Sequence, residues 1–455
     1  MKKEIFTRDR SFYRTFFPLL AVITLQQLAA LTVNLVDNLM LGRYTELALS
    51  GATLVNQLQF ILQQLVAGIG MGVSVLGSQY WGKQEISPIR RVSSVGLKFS
   101  LVMGFLFLIL TSAAPEFCLR LFTDEDAVIA EGMLYLDIMR WTYLIFAISN
   151  VLMYSLQSVE TAFIGTIMSI STIIINMCLN YCFIFGNFGA PEMGIRGAAI
   201  ATLTSRCVEL AIILIYIFFI DKKLKFRPRH LINWDFAYLK DFAKAALPVM
   251  VSGALWGVAQ GAQTAVLGHM SATVIAANSI ASVIFQIFVV VGMASANAGS
   301  VTMGKTVGEG SLDKVRPYSR TLQLIFLLIG IVSAIAMFIF RNAIVNLYAV
   351  SEEAKTLAKS FLLILSISTV GTCYEYPVEG GIIAGGGDPK YQAIVDTLFM
   401  WLFTIPVSAV AAFVFDASPI VVFCLLKADQ LLKCIPNGIV CNRYKWVKQL
   451  TRDDE

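Results

Sequence analysis

The sequence predicts an all-α integral membrane protein of about twelve transmembrane helices, arranged as two pseudo-symmetric six-helix bundles. Three observations support this prediction: the composition, the length of the apolar runs and an internal repeat. Of the 455 residues, 57% are hydrophobic and only 14% are charged, whereas soluble globular proteins carry roughly 25% charged residues. This balance indicates a chain whose main solvent is lipid.

The apolar runs are continuous and about 20 residues long, which is the length that an α-helix needs to cross a bilayer. They do not alternate between apolar and polar residues, so membrane-spanning strands are excluded. The predicted spans are 14–41, 48–78, 94–115, 133–156, 162–185, 195–220, 243–268, 273–303, 318–340, 358–383, 391–414 and 417–438.

The second half of the chain repeats the first. Gly42 near the end of the first span recurs as Gly268 near the end of the seventh, and Gly82 recurs as Gly308 at the same offset of 226 positions. A single register held over a long stretch is typical of a duplicated fold. Six spans per half make the two copies parallel, related by an axis along the membrane normal.

The repeat predicts three regions. We expect an N-terminal six-helix lobe over residues 1–220, a cytoplasmic basic linker over 221–242, and a C-terminal six-helix lobe with a short cytoplasmic tail over 243–455. Repeated bundles with a cleft between them are a common architecture for alternating-access transport. Transport therefore ranks ahead of other membrane roles.

An even number of spans puts both chain ends on one side of the membrane, and the basic residues indicate that this side is the cytoplasm. Arg90 and Arg91 follow the second span, and the segment 221–242 holds six lysines and arginines. The opposite loops are richer in acids, as at 124–126 and 352–353. We expect a multi-pass inner-membrane protein whose basic linker is an orientation signal, not a nucleic-acid surface.

Asp37 lies inside the first span, about one turn from its outer end. A carboxylate at such depth is costly and marks a functional site. Asn176 and Asn180 lie one turn apart in span 5, and Thr202 lies about two turns into span 6, so all four groups fall at similar depth. Their oxygens suit a sodium ion, or a proton held on Asp37. The alternative is packing, because Asn and Thr commonly hydrogen-bond across spans.

A second polar group lies in the C-terminal half. Glu375 and Glu379 flank Pro377 in span 10, one turn apart, and helix-breaking residues are tolerated in spans where they line a cavity. These acids are candidates for a coupling or substrate site, although Glu379 is close enough to the cytoplasmic end to be hydrated. Gln260 and Gln263 in span 7 are further candidates for this coupling or substrate site, although packing explains most of the glutamines in the spans.

The other charged residues of the spans are expected to be structural. Arg206 and Glu209 in span 6 are spaced to neutralise each other, as are Lys427, Asp429 and Lys433 in span 12.

Several chemistries are excluded by what the sequence lacks. No G-x4-G-K-[ST] loop is present to bind ATP phosphates, so an ion gradient is the expected driving force. The two histidines cannot form a histidine metal cluster, and no nucleophile–base pair is evident, so the chain is not expected to be an enzyme. The expected cofactors are none, apart from the coupling ion, H+ or Na+.

Five stretches match the pattern of one transporter family. They are Val36–Gly42, Gly77–Lys83, Asn176–Thr202, Gly385–Asp388 and Lys445–Lys448. The chain resembles the multidrug and toxin extrusion (MATE) family over nearly its whole length, particularly the bacterial members. The resemblance implies two six-helix bundles that export drugs or metabolites against proton or sodium entry. It also implies an N-lobe cation site at Asp37, Asn176, Asn180 and Thr202.

The C-terminal lobe departs from that family. Many members carry a glutamate in span 7 shortly after a Leu-Pro pair, whereas Ser252, Gly253 and Trp256 follow Pro248 here. Some members carry an acid in span 10, within about one residue of Glu375. The resemblance therefore supports the N-lobe site more fully than any C-lobe site.

The predicted function is antiport of an organic, cationic or amphipathic drug or metabolite in exchange for H+ or Na+. The alternative is a flippase for a lipid-linked precursor of the same superfamily, for which a basic cavity and extra spans are expected. A receptor or structural protein is a third class, and the buried carboxylates speak against it. The expected partners are a small-molecule substrate and the lipid bilayer, with the chain acting as a monomer. Neither the substrate nor the choice between H+ and Na+ follows from the sequence.

Overall fold

A computed structural model describes residues 5–232, 236–346, 348 and 351–452. These residues form helices joined by short connections, and the described part of the chain contains no strand. Ten of its helices are long and apolar enough to cross a membrane, and a bent helix pair adds an eleventh candidate span. The prediction of an all-α membrane fold is confirmed.

The helices are numbered in chain order. They are α1 (Arg10–Tyr44), α2 (Glu46–Gly82), α3 (Ile86–Ala113), α4 (Pro115–Arg120), α5 (Asp126–Met139), α6 (Thr142–Ser158), α7 (Phe163–Phe185), α8 (Ile195–Ile215), α9 (Pro228–Ile232), α10 (Phe236–Gly268), α11 (Ala272–Gly308), α12 (Leu312–Val345), α13 (Glu352–Tyr376), α14 (Pro389–Thr397), α15 (Ile405–Phe413), α16 (Pro419–Lys427), α17 (Asp429–Leu432) and α18 (Cys434–Arg443). Segments of π-helix follow α8 (Tyr216–Ile220), α13 (Pro377–Ile383) and α14 (Leu398–Thr404).

Two of the predicted spans are interrupted by turns. The fourth, predicted at 133–156, is formed by α5 and α6, which are bent by 52° between Met139 and Thr142. The twelfth, predicted at 417–438, is divided among α16, α17 and α18. Pro436 explains the last division, because proline has no N–H to donate to the carbonyl of Leu432 one turn earlier.

The internal repeat is visible in the helix starts. Five pairs of helices begin 226 positions apart, namely α1 and α10, α2 and α11, α3 and α12, α5 and α13, and α7 and α14. The N-terminal cap of the second helix in each copy is also repeated. Thr45 Oγ1 accepts a hydrogen bond from Ala48 N (3.0 Å) at the start of α2, and Ser271 Oγ accepts one from Val274 N (3.2 Å) at the start of α11. Hydroxyls at this position satisfy the free N–H groups of a first helical turn.

The chain forms two compact units. We call Leu25–Gly77 with Glu85–Met250 the N unit, and Met1–Thr24, Ser78–Gln84 and Val251–Glu455 the C unit. In the N unit, α7 packs on α8, and α3 on α6. In the C unit, α13 packs between α11 and α12. The C unit is therefore discontinuous in sequence, and α2 contributes to both units.

Two glycines allow a close helix crossing inside the C unit. A Cβ on Gly82, at the end of α2, would lie 2.2 Å from the carbonyl oxygen of Lys305. A Cβ on Gly308, at the end of α11, would lie 1.9 Å from the carbonyl oxygen of Gln79. These two glycines occupy equivalent positions in the repeat, so each copy supplies one side of the same crossing.

The residues after α18 form a C-terminal strap (residues 444–452). Trp446 is 1% exposed and packs against Gly386, where an added Cβ would meet its ring at 2.1 Å. The Lys448 N–H donates to the carbonyl of Gly386 (2.9 Å), and the Gln79 side chain donates to the carbonyl of Lys448 (3.2 Å). The strap thus joins the glycine-rich turn before α14 to the end of α2.

Candidate functional site

The four polar side chains predicted for the first lobe meet in the N unit. Asp37 lies about two turns before the end of α1, Asn176 and Asn180 lie on α7, and Thr202 lies on α8. Asn180 Nδ2 donates to Asp37 Oδ1 (2.5 Å) and to Asn176 Oδ1 (3.0 Å). Asn176 Nδ2 in turn donates to Thr202 Oγ1 (3.4 Å). One continuous chain of hydrogen bonds therefore links α1, α7 and α8.

The oxygens of this cluster are only partly satisfied. Asn176 and Asn180 are 1% and 0% exposed, and Asp37 is half-buried. Asn180 Oδ1 is buried and accepts no hydrogen bond, which is unusual because buried polar atoms normally have partners. A carboxylate next to a free amide oxygen is an oxygen-rich environment of the type that hard cations prefer.

Two further residues border the cluster. Tyr135 of α5 is 2% exposed and neighbours both Thr202 and Asp37. Arg206 of α8 lies one turn after Thr202, and its positive charge interacts electrostatically with Asp37. Its guanidinium donates a hydrogen bond to Glu209 Oε2 (2.7 Å). The predicted pairing of Arg206 with Glu209 is therefore present. Helical spacing could have placed Arg206 beside the site, whereas nothing in the sequence indicated Tyr135.

The C unit holds a second polar cluster. Glu375 ends the α-helical part of α13 and Glu379 lies in the π-helical segment that begins at Pro377. They are 5% and 0% exposed, so Glu379 is not hydrated at a helix end. Asn437 Nδ2 donates to Glu379 Oε1 (2.5 Å). Oxygens of Glu375, Glu379 and Asp396 lie within 4.8 Å of one another.

Lys433 lies among these acids. Its Nζ is 2.8 Å from Asp396 Oδ1, 3.7 Å from Asp429 Oδ2 and 4.0 Å from Glu375 Oε2. The sequence predicted a structural group of Lys427, Asp429 and Lys433, but the shortest contact of Lys433 is to Asp396, which lies 37 positions earlier. Ser252 Oγ donates to the other oxygen of Asp396 (3.0 Å).

The two predicted glutamines of α10 do not join the acids. Gln263 Oε1 accepts a hydrogen bond from Lys427 Nζ (3.1 Å), and Gln263 is 6% exposed. Among the described residues, no hydrogen bond links the Gln260 side chain to Glu375 or Glu379. By the offset of 226 positions, Gln263 is the counterpart of Asp37 in the second copy of the repeat. The second copy of the repeat thus has a neutral amide, hydrogen-bonded to Lys427, at the position where the first copy has the Asp37 carboxylate.

Comparison with known protein families gives one match that covers most of the chain. The family model MatE matches residues 23–182 and 248–410. The two matched segments coincide with the two copies of the repeat.

Two curated relatives are bacterial proteins of similar length. The probable multidrug resistance protein NorM of Listeria innocua is 23% identical over 401 residues, which cover 87% of each chain. The protein of the same name from Thermotoga maritima is 22% identical over 425 residues, covering 92% of this chain and 90% of that one.

Solved structures share the fold. A mutant of the Vibrio cholerae MATE transporter VcmN superposes with a TM-score of 0.87 at 16% identity, over 97% of this chain and 98% of that one. A MOP superfamily transporter from Pyrococcus furiosus superposes with a TM-score of 0.86 at 18% identity, over 99% and 100% of the two chains. At such identities the likeness establishes the fold alone.

Proposed function

The chain belongs to the MatE family of membrane transporters, and on that premise we propose that it is a secondary active exporter. It extrudes organic, cationic or amphipathic drugs or metabolites in exchange for H+ or Na+ by alternating access. Efflux is supported by the likeness to relatives named as multidrug resistance proteins. A flippase role for a lipid-linked precursor has no specific observation in its favour.

One observation supports ion coupling above the others. Asp37 is bound by an amide whose own oxygen, Asn180 Oδ1, is buried without a hydrogen-bond donor. In our proposal Asp37 takes the ion, Asn180 and Asn176 supply amide oxygens, and Thr202 fixes Asn176. Ion binding changes the charge of the cluster, and it drives transport only insofar as the inward-facing and outward-facing states bind the ion unequally.

The second cluster has a separate role in the proposal. Glu375 and Glu379 form a polar site of the C unit for a coupling ion or for the charged part of a substrate, because both are buried and each has an oxygen without a hydrogen-bond donor. Gln263 contributes through its contact with Lys427, and Gln260 is assigned to the substrate path by its position one turn earlier on α10.

The orientation and the oligomeric state are also part of the proposal. The protein is a multi-pass protein of the bacterial inner membrane with both termini in the cytoplasm, and it acts as a monomer. The basic residues at 221–232 support this orientation by the positive-inside rule. Fluorescent and phosphatase reporters fused to each terminus test it: fluorescence without phosphatase activity is expected at both ends, and phosphatase activity at either end would contradict it.

The function is tested by ethidium efflux from energised cells that lack their own multidrug pumps. Cells with the intact protein are expected to extrude ethidium, and cells with Asp37→Asn are not, at equal amounts of protein in the membrane. Asp416→Asn is the matched control, because Asp416 is an exposed acid in the turn after α15 and the same chemical change there should leave efflux intact. Replacing sodium, or collapsing the proton gradient, then identifies the ion.

Equal efflux from the intact protein and from Asp37→Asn would remove Asp37 from the coupling role. Efflux from neither, with the protein present in the membrane, would rule out ethidium as a substrate. The same two proteins would then be compared with a panel of cationic and amphipathic compounds, and transport of none would overturn the export proposal.

A further inference from the structure

Lys433 lies in an environment that resembles the coordination shell of a cation. Four carboxyl groups face it from four elements: Glu375 of α13, Glu379 of the following π-helical segment, Asp396 of α14 and Asp429 of α17. The lysine side chain is 4% exposed. A buried ammonium needs such partners, because a charge removed from water without compensation is strongly unfavourable.

Each of two carboxyl groups is held by a neutral donor on one oxygen and turns the other oxygen toward the cluster. Asn437 holds Glu379 Oε1 (2.5 Å), while Oε2 accepts no hydrogen bond. Ser252 holds Asp396 Oδ2 (3.0 Å), while Oδ1 faces Lys433. The donors therefore orient the carboxylates independently of the lysine.

The oxygens that remain are spaced for a single ion. Oxygens of Glu375, Glu379 and Asp396 lie within 4.8 Å of one another, and oxygen ligands of a hard cation sit roughly 2.3–2.6 Å from the ion, so two opposite ligands are about 5 Å apart. The free Oε2 of Glu379, on a side chain that is 0% exposed, gives such an ion a ligand that no protein donor uses.

We propose that the ammonium of Lys433 is a tethered cation that occupies this carboxylate cluster in place of a free monovalent metal cation. Sodium binds among Glu375, Glu379 and Asp396 only when the lysine leaves. Asp429, one turn before Lys433 and 3.7 Å from its Nζ, gives the displaced ammonium a second anion on its own segment. The proposal concerns residues of the C unit and does not depend on Asp37 being the coupling site.

The competition follows from tethering. A group fixed to the chain next to its site acts at an effective concentration of the order of millimolar or above, so that a free ion must exceed this value to displace it. Removing the ammonium while keeping the carboxylates should therefore expose a sodium site that the intact protein hides.

The test is equilibrium binding of radioactive sodium to purified protein in detergent, at constant ionic strength with choline as the replacement cation. All proteins carry Asp37→Asn, so that the N unit makes no contribution. We expect Lys433→Gln to gain saturable sodium binding, roughly tenfold or more tighter than its parent. Adding Glu379→Gln should abolish the gain.

Lys427→Gln is the matched control. Lys427 donates its hydrogen bond to Gln263 and not to a carboxylate, so the Lys427→Gln protein should not gain a sodium site.

Three results would overturn the proposal: equal sodium binding with and without Lys433, no binding by folded Lys433→Gln protein, or the same gain in Lys427→Gln. If Lys433→Gln does not fold, Lys433→Gln with Asp429→Asn replaces it, since this pair leaves the net charge unchanged and keeps all three proposed sodium ligands, Glu375, Glu379 and Asp396. Absence of sodium binding in that folded double variant would equally refute the tethered cation.

Discussion

The bond between Asp37 and Asn180 gives a direct test of whether the N-unit cluster is an ionic site or ordinary packing. A double-mutant cycle of Asp37→Ala and Asn180→Ala measures the energy that couples the two side chains. Their contact is a 2.5 Å hydrogen bond from an amide to a carboxylate. A hydrogen bond to a charged group contributes about 1.5–3 kcal/mol, whereas neutral hydrogen bonds between membrane helices average about 0.6 kcal/mol.

The same unit contains a matched neutral pair. Gln157 Nε2 of α6 donates to Gln26 Oε1 of α1 at 3.2 Å. We expect a coupling energy of about 0.6 kcal/mol for this pair and of at least about 1.5 kcal/mol for Asp37 with Asn180, since only the second bond has a charged partner. The difference, about 0.9 kcal/mol or more, corresponds to roughly a fivefold change in an equilibrium constant, with 1.4 kcal/mol per tenfold.

The assay is reversible unfolding of each cycle's four proteins in mixed detergent micelles at mildly alkaline pH, which keeps the Asp37 carboxyl ionised, with fluorescence as the readout. Coupling energies that agree between the two pairs to within about 0.3 kcal/mol, which is the usual additivity error, would refute the ionic interpretation. The packing explanation, in which asparagine and threonine merely join helices, would then account for the cluster.

Three further predictions concern stability, each followed by thermal unfolding of the purified protein. Gly308→Ala should destabilise the protein by about 1–3 kcal/mol, because the new Cβ would lie 1.9 Å from a carbonyl oxygen. Gly257→Ala, whose Cβ would have nothing within 4 Å, should stabilise the protein by up to about 1 kcal/mol. Equal effects of the two substitutions would contradict the close helix crossing at Gly308. The Tyr318 hydroxyl (2.6 Å) and the Ser11 N–H donate to Asp9 and lower the pKa of its carboxyl below 3.8. The intact protein should therefore be more stable than Asp9→Asn by an amount that is complete above pH 3.8 and is lost as the pH falls through the lowered pKa. A stability difference that grows on acidification would refute this. Trp446→Ala should cost about 3–5 kcal/mol and exposed Lys445→Ala less than about 0.5 kcal/mol; similar losses would show that the strap is not packed.

The sequence predicted those features that depend on distance along the chain. Run length identified the membrane helices, because lipid obliges a spanning segment to satisfy its own backbone hydrogen bonds. The offset of 226 positions predicted the repeat, and it reappears in the helix starts, as in Glu46 with Ala272. Depth and helical spacing selected Asp37 and Asn180, whose side chains the structure brings into contact.

The features that the sequence did not predict depend on lateral contacts between helices. Spacing paired Lys433 with Asp429, but the nearest carboxylate, Asp396, belongs to another helix. The rotation of α14 that brings Asp396 to Lys433 is not evident from the sequence, because the buried positions of this short helix, Pro389, Gln392 and Val395, are themselves partly polar. The π-helical segment at Glu379 was not anticipated either, because Pro377 predicts an interruption of the helix without specifying its geometry.

The discontinuity of the C unit has a consequence for how the protein is made. Its first segment, which ends at Thr24, is synthesised well before the residues of α11 to α18 that surround it in the finished unit. The N unit, complete by Met250, can assemble while the second copy is still on the ribosome, since domains tend to fold in the order in which they emerge. The start of α1 and the end of α2 must wait for their packing partners until the second copy and the strap have been synthesised. Assembly of the two units is therefore sequential in a protein built from two copies of one repeat, and slow translation of the second half should prolong the interval in which the C unit is incomplete.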